Sequence, residues 1–263
     1  TDKKDAFTIA KFIMLQREAI VQHKASLHFT ELRDLSRRRE KLVNQMTAIK
    51  NNIKRVLSVI FPELETITGV FTKSTLRLLS QYPSARAIQE AGCDAVADIF
   101  IDRSKGNRPR ATITTLMETA SSSVGVASPA KELIVRQEAA SLLHLEEQTH
   151  ETTKLLKSLC NENMKKDMDI LTSMKGIGEK TAMNFLVEMG GDIRAYENDK
   201  KLIAAAGLDP STYQSGKYER TSRISKKGNR HLRRVIWLMT RRVITSNELF
   251  RAHYFKRKTG GLP

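Results

Sequence analysis

Residues 1–61 contain neither glycine nor proline, and neither do residues 130–175. Breaker-free stretches of that length admit little besides long helix, because Gly and Pro are the residues that stop or bend one. In the first stretch Leu35, Leu42, Met46, Ile49, Ile53, Val56 and Ile60 recur at three- and four-residue intervals, with Arg39 in the one polar slot. That is a coiled-coil seam of about four heptads. Arg37, Arg38, Glu40, Lys41, Lys50 and Lys54 fall off it, and Pro62 ends it. The second stretch carries a weaker seam of Val135, Leu142, Leu145, Leu156 and Leu159, interrupted by Glu138, Thr149 and Thr152. Two long helices flanking an insertion predict a mainly α fold. They would pair as a long antiparallel coiled-coil arm, within one chain or swapped between subunits. The insertion, residues 63–129, reads as short helices over 74–81 and 84–102 followed by a loop, with breakers at 104–109 and 121–125. It carries no chemistry and is read as a packing or spacing module at the tip of the arm.

The 263 residues suit one large domain or two modest ones. A 40% hydrophobic share excludes wholesale disorder. No apolar run approaches the roughly 18 residues of a membrane span. Two cysteines, Cys93 and Cys160, cannot build a disulfide framework, which fits a reducing, cytoplasmic setting. The first ten residues lack the apolar core of a signal peptide. They also lack an initiating Met, so the chain is expected to be a fragment of a longer protein.

The formal charge of +16 is uneven. From Ser211 to Pro263 there are 14 Lys/Arg and 2 acids, a balance of +12, which leaves +4 for all other residues. Such a segment is the electrostatic footprint of a polyanion. Its aromatics, Trp237, Phe250, Tyr254 and Phe255, are interleaved with arginines rather than gathered on an apolar face, so nucleic acid fits better than a membrane surface.

Just upstream, Lys175-Gly176-Ile177-Gly178 precedes a helical run from Glu179 to Met189. Glycines that permit a tight turn, followed by the unpaired N–H groups of a helix start, make a seat for phosphate. The pattern resembles a helix-hairpin-helix, which grips nucleic-acid backbone without reading sequence, with Gly176, Gly178 and Lys180 as its contacts. The alternative is a plain helical corner whose glycines only fit a sharp bend. Ile177 is read as a core plug.

A helix over 199–206 and a Gly207-Leu208-Asp209-Pro210 turn lead into Ser211-Thr212-Tyr213-Gln214-Ser215-Gly216-Lys217. A helix over 231–244 follows. Between them stand Arg220, Arg223, Lys226, Lys227, Asn229 and Arg230, and Arg233 and Arg234 lie on the helix; with Lys217 these are the expected nucleic-acid contacts. A serine hydroxyl becomes a useful nucleophile only with help from a base or metal, and cations can neutralise charge developing on an attacked phosphate. Lys217, Arg220, Arg223, Lys226 and Lys227 could supply that charge or simply hold a phosphate backbone.

The run GLDPSTYQSGKYERTSRISKKGNRHLRRVIW, with MKGIGEKTAMNFLVEMGG and LIAAAGL before it, resembles the C-terminal domain of the IS-one-ten family of insertion-sequence transposases. The match covers about residues 169–249, and the family includes bridge-RNA-guided recombinases. The resemblance implies a DNA-binding transposase or recombinase that cuts and rejoins DNA through a serine nucleophile. In the family's Y-[QE]-S-G element the serine is Ser215 here, and Ser225 in ISKKGN is expected to grip backbone. It also implies an N-terminal RuvC-like domain whose four carboxylates (DEDD) bind Mg²⁺. The K-x-D-x-x-D-A end of that domain matches Thr1 to Ala6, making Asp2 and Asp5 its last two ligands. Implied partners are DNA, a guide RNA in the bridge-RNA members, and a second copy through the coiled coil.

These readings divide the chain into a RuvC-like remnant (1–12), the arm with its insertion (13–168) and a C-terminal transposase domain (169–263). Two acids alone make a poor Mg²⁺ site. The chain is therefore expected to be N-terminally truncated and inactive alone. The competing expectation is a non-catalytic helix-hairpin-helix scaffold that binds nucleic acid and dimerises through its arm.

Overall fold

The computed structural model describes residues 2–15, 27–100, 110–210, 214–215, 218–219 and 223–260. The described chain is mainly helical: α1 (Asp2–Leu15), α2 (Leu27–Ile60), α3 (Leu64–Ile67), α4 (Lys73–Gln81), α5 (Ala85–Phe100), α6 (Arg110–Ser121), α7 (Pro129–Ser173), α8 (Glu179–Met189), α9 (Asp199–Ala205), α10 (Arg230–Ser246) and α11 (Glu248–Thr259). Two short antiparallel strands, β1 (Gln214–Ser215) and β2 (Tyr218–Glu219), complete it. The expected mainly α class holds. Of the first breaker-free stretch, α1 and α2 are described and residues 16–26 lie outside the described residues. The second is a 45-residue helical run with Pro129 in its first turn, where a missing N–H costs nothing, and it kinks at Met164, whose φ is −135°.

The chain forms two compact units, residues 35–163 and residues 1–34 with 164–263. In the first, α2 and α7 run antiparallel. Arg38 donates to Gln148 at 3.4 Å, Arg39 Nε to Thr153 Oγ1 at 3.1 Å and Asn52 Nδ2 to Glu138 Oε1, while Lys50 pairs with Glu146 at 3.9 Å. From Arg39–Thr153 through Lys50–Glu146 to Asn52–Glu138, positions rise along one helix as they fall along the other. Leu42, Ile53, Val56 and Ile60 of the α2 seam are buried, as are Val135, Leu142 and Leu156 of α7. Arg39, Glu138 and Thr149, polar interruptions of the two seams, each find a partner on the facing helix. Arg39, its pKa lowered by burial, reaches Thr153, and Thr149 donates to the sulfur of Met46 at 3.4 Å. Polar pairs inside an apolar seam stabilise one register over its neighbours, because a slip leaves each of them buried without a partner.

The insertion packs its own helices onto the adjoining stretches of α2 and α7. Leu64, Leu76, Leu79, Ile88, Leu116 and Val135 belong to one continuous core. Helix α6 was not anticipated in the sequence reading. Its Ile113, Leu116 and Ala120 are buried, so packing secures a helix whose β-branched content favours it little. Helix α5 breaks at Gly92, whose φ is 80°. A further clasp closes the end of α2. Gly125 lies so close that a Cβ there would sit 2.3 Å from Ile60 O, and Glu63 accepts from Ser123 Oγ at 2.7 Å and from Val124 N at 3.0 Å. Burial acts to raise the Glu63 pKa, but these hydrogen bonds outweigh it and leave the carboxyl below its ordinary value.

In the other unit, Ile177, Ala182, Met183, Leu186, Leu232 and Val243 are buried, with α8 lying against α10. Helix α8 ends on Gly190 in the left-handed region (φ 97°), followed by Gly191, where a Cβ would strike the Phe29 ring. The start of α2 therefore belongs to this unit, with Leu32 fully buried.

Candidate nucleic-acid interface and serine hairpin

The two glycines of the Gly-Ile-Gly turn have different jobs. Gly176 has φ 109°, and a Cβ there would sit 2.9 Å from Arg242 O and 3.1 Å from the Val243 Cα. It is glycine because α10 passes against its backbone in a conformation other residues avoid. Gly178 caps α8 with φ −88° and has open space where a Cβ would be. No side chain caps the helix there, so its positive end opens outward and Lys180 stands exposed in its first turn. Ile177 is buried, as a core plug should be.

The Ser225–Asn229 loop folds across the C-terminal end of α9. Lys226 N donates to Gly207 O at 3.0 Å, Asn229 N to Ala205 O at 2.8 Å and Arg233 Nη1 to Ala206 O at 2.7 Å. Carbonyls that a helix end leaves orphaned are thereby satisfied. The approach is close enough to require glycine on both sides. A Cβ on Gly228 would lie 2.5 Å from Ala205 O, and one on Gly207 would lie 2.9 Å from Lys227 N. Lys226 itself adopts φ 55°. Ser225 Oγ donates to Asp209 Oδ1 at 2.7 Å and accepts from Lys227 N at 3.2 Å. Its hydroxyl is thus engaged within the loop rather than held out for a nucleic-acid backbone.

Asn229 ties this clamp to α8 and starts α10. Its Nδ2 donates to the buried Glu188 Oε2 at 2.7 Å, and its Oδ1 accepts from His231 N and Leu232 N. Of the predicted nucleic-acid contacts, Asn229 and Arg233 are thus turned toward protein partners. Arg223, Lys226, Lys227, Arg230 and Arg234 are exposed around the same clamp. Lys217 and Arg220 lie outside the described residues.

From this base a β-hairpin extends. Pro210 bridges to Ile224, and beyond it Ser215 pairs with Tyr218 and Gln214 with Glu219. Ser215 is therefore in β1, two residues before Lys217 in sequence. The clamp closes the segment's two ends and brings exposed cations to the base of the element that carries the serine.

Asp2 and Asp5 lie on α1, three residues apart on one helical face, and Asp5 is exposed. No cluster of three or more His, Cys, Asp or Glu side chains occurs among the described residues. A hard divalent cation needs a fuller oxygen shell than two carboxylates offer, so the described residues do not make up a metal site. An apolar cavity of about 390 Å³ among α7–α11, lined by Leu171, Met174, Ile177, Phe185 and Phe250, offers no catalytic grouping either.

The sequence reading missed the Ser225–Asp209 and Asn229–Glu188 bonds that build the clamp. The available signal was the glycine pair Gly207 and Gly228, placed on either side of the serine segment.

The model of the Transposase IS116/IS110/IS902 family matches residues 168–255, and a second transposase model, of the DEDD segment of IS110 elements, matches residues 1–62. The uncharacterized 43.6 kDa protein of insertion element IS110 from Streptomyces coelicolor is 26% identical over 267 residues, covering 99% of this chain. The 42 kDa protein of IS900 from Mycobacterium paratuberculosis is 24% identical over 99% of the chain, and the 44.8 kDa protein of IS116 from Streptomyces clavuligerus 24% over all of it. The chain spans 65% of the length of each of these relatives. Two transposase models are thus matched in order, and the whole length aligns to insertion-element proteins, so the chain is similar to transposases of the IS116/IS110/IS902 family.

Proposed function

We propose that this chain is the arm and DNA-handling portion of a transposase that cuts and rejoins DNA through Ser215. The observation that carries this reading is the clamp. It holds exposed Arg223, Lys226, Lys227 and Arg230 at the base of the hairpin in which Ser215 sits. Phosphate contacts of this kind position a duplex without reading its bases. The open N-terminus of α8 at Gly178 adds a second backbone contact. In the cleavage step the Ser215 Oγ–P bond forms and the bond from phosphorus to the neighbouring sugar oxygen breaks. The serine proton is lost to a base, and the leaving oxygen takes up a proton. Cations beside the phosphate lower the cost of the charge that builds on its oxygens. The family's DEDD segment points to a divalent metal in the complete enzyme, and Asp2 and Asp5 are our candidates for two of its ligands. The described residues do not complete that site.

The functional division we propose is residues 1–12 with the DEDD segment, 13–168 as the arm and 169–263 as the serine-bearing domain. Self-association through the arm and use of a guide RNA belong to the same proposal. The test is a covalent one. In a protein extended to the relatives' full length and incubated with DNA and Mg²⁺, wild type should yield a protein–DNA adduct that resists denaturant and Ser215→Ala should yield none. An undiminished adduct with Ser215→Ala rejects the serine. No adduct from wild type, alongside tight and steeply salt-dependent binding, favours the non-catalytic scaffold instead.

A further inference from the structure

The exposed face of α10 carries one side chain, Trp237, for which duplex binding has no use. At 3.6 residues per turn, Arg230, Arg234, Trp237 and Arg241 fall within an arc of about 60° along roughly 17 Å of helix. All four are exposed, and Leu232, Val235 and Val243 occupy the opposite, buried side. Trp237, the one tryptophan of the chain, is 54% exposed. The Arg241 guanidinium stands 4.8 Å from its ring centroid and restrains the indole by a cation–π contact. Large aromatics held in water at the centre of a cationic stripe mark a binding surface rather than ordinary exposure.

We infer that this stripe binds single-stranded DNA, with an unpaired base stacked on Trp237 and the flanking arginines on the phosphates. The inference rests on the transposase reading and deepens it, by assigning a place for strands that cleavage and exchange leave unpaired. A duplex offers this surface only phosphates, because its base faces are already stacked on one another. A single strand offers both partners at once: phosphates for Arg230, Arg234 and Arg241, and a free base face for the indole. Stacking on one aromatic is tolerant of sequence, since every base has a π face.

The test uses the chain's own fluorophore. Titration with a 20-nucleotide dT oligomer should quench Trp237 fluorescence saturably, and the matching 20-base-pair duplex should quench it little. With labelled oligomers followed by anisotropy, Trp237→Ala should weaken dT binding about tenfold and Trp237→Phe much less. Duplex affinity should change less than twofold in both variants. Equal losses on single strand and duplex, or no loss on either, overturn the inference. A uridine oligomer bound as tightly as dT overturns the choice of DNA. A shift from dimer to monomer in Trp237→Ala with dT binding intact shows that the indole meets a second copy, and also overturns it. Normal duplex binding without dT quenching defeats this inference and leaves the transposase reading standing. Stacking of dT without duplex binding does the reverse, and binding of neither defeats both.

Discussion

The unit of residues 35–163 and the C-terminal part of the chain use their polar side chains in opposite ways. In the first, Arg38, Arg39, Lys50 and Asn52 of α2 are spent on Gln148, Thr153, Glu146 and Glu138 of α7. Lys54 turns to Glu65 at 2.9 Å within the same unit. From residue 211 onward the balance is +12, and Arg223, Lys226, Lys227 and Arg230 face outward. Asn229, Ser225 and Arg233 are spent internally there, and they are the ones that shape the clamp. A polar group spent on its neighbours sets register, and one left exposed is available to a partner.

That contrast can be broken in order of effect. Leu142→Ala removes a fully buried side chain from the first unit and should cost about 3 kcal/mol of stability. Chemical denaturation should report this loss while DNA affinity in native buffer stays unchanged. A parallel loss of affinity would mean that the two functions are not separable.

Next come the paired glycines. Gly176→Ala places a methyl against the Arg242 backbone at positive φ and should cost about 2 kcal/mol. Gly178→Val meets open space at an ordinary φ. It should leave the melting temperature nearly unchanged and weaken duplex binding several-fold by blocking the approach to the α8 N-terminus. Unchanged affinity in that variant would make the turn a simple helical corner.

Lys227→Glu with Arg230→Glu should weaken binding about tenfold across unrelated duplexes and reduce the salt dependence, as loss of phosphate contacts does. Loss confined to one DNA sequence would contradict a backbone role.

The smallest effect concerns pH. The Glu63 carboxyl lies below its ordinary value in the folded chain, so its contribution is present above the unfolded carboxylate range of about 4.3 and is lost as pH falls through the depressed value. The gap in denaturation midpoint between wild type and Glu63→Gln should therefore narrow on acidification. A gap independent of pH would refute the assignment.

Much of the helical layout was legible in advance. Helix α7 spans almost the whole Gly- and Pro-free stretch, and α10 begins within one residue of the expected start. Helix α6 was not legible, because Thr112, Ile113, Thr114 and Thr115 argue against helix until Ile113 and Leu116 find a core. For the candidate site the types of residue were visible and their allegiance was not. Arg233 and Arg234 look alike in sequence, yet one is bonded to Ala206 O and its neighbour is exposed.

By itself the sequence determined the helical class, the breakers that end each long helix and the concentration of charge after residue 210. These follow from local rules: which residues tolerate helical backbone, and how many charges a segment carries. The tertiary structure alone decided that Gly176 serves packing while Gly178 faces open space, that Asn229 and Ser225 build a clamp, and that Arg230, Arg234, Trp237 and Arg241 form one exposed stripe. Each of those depends on distances between residues far apart in the chain, or on which side of a helix is buried, and neither is set until the helices have packed.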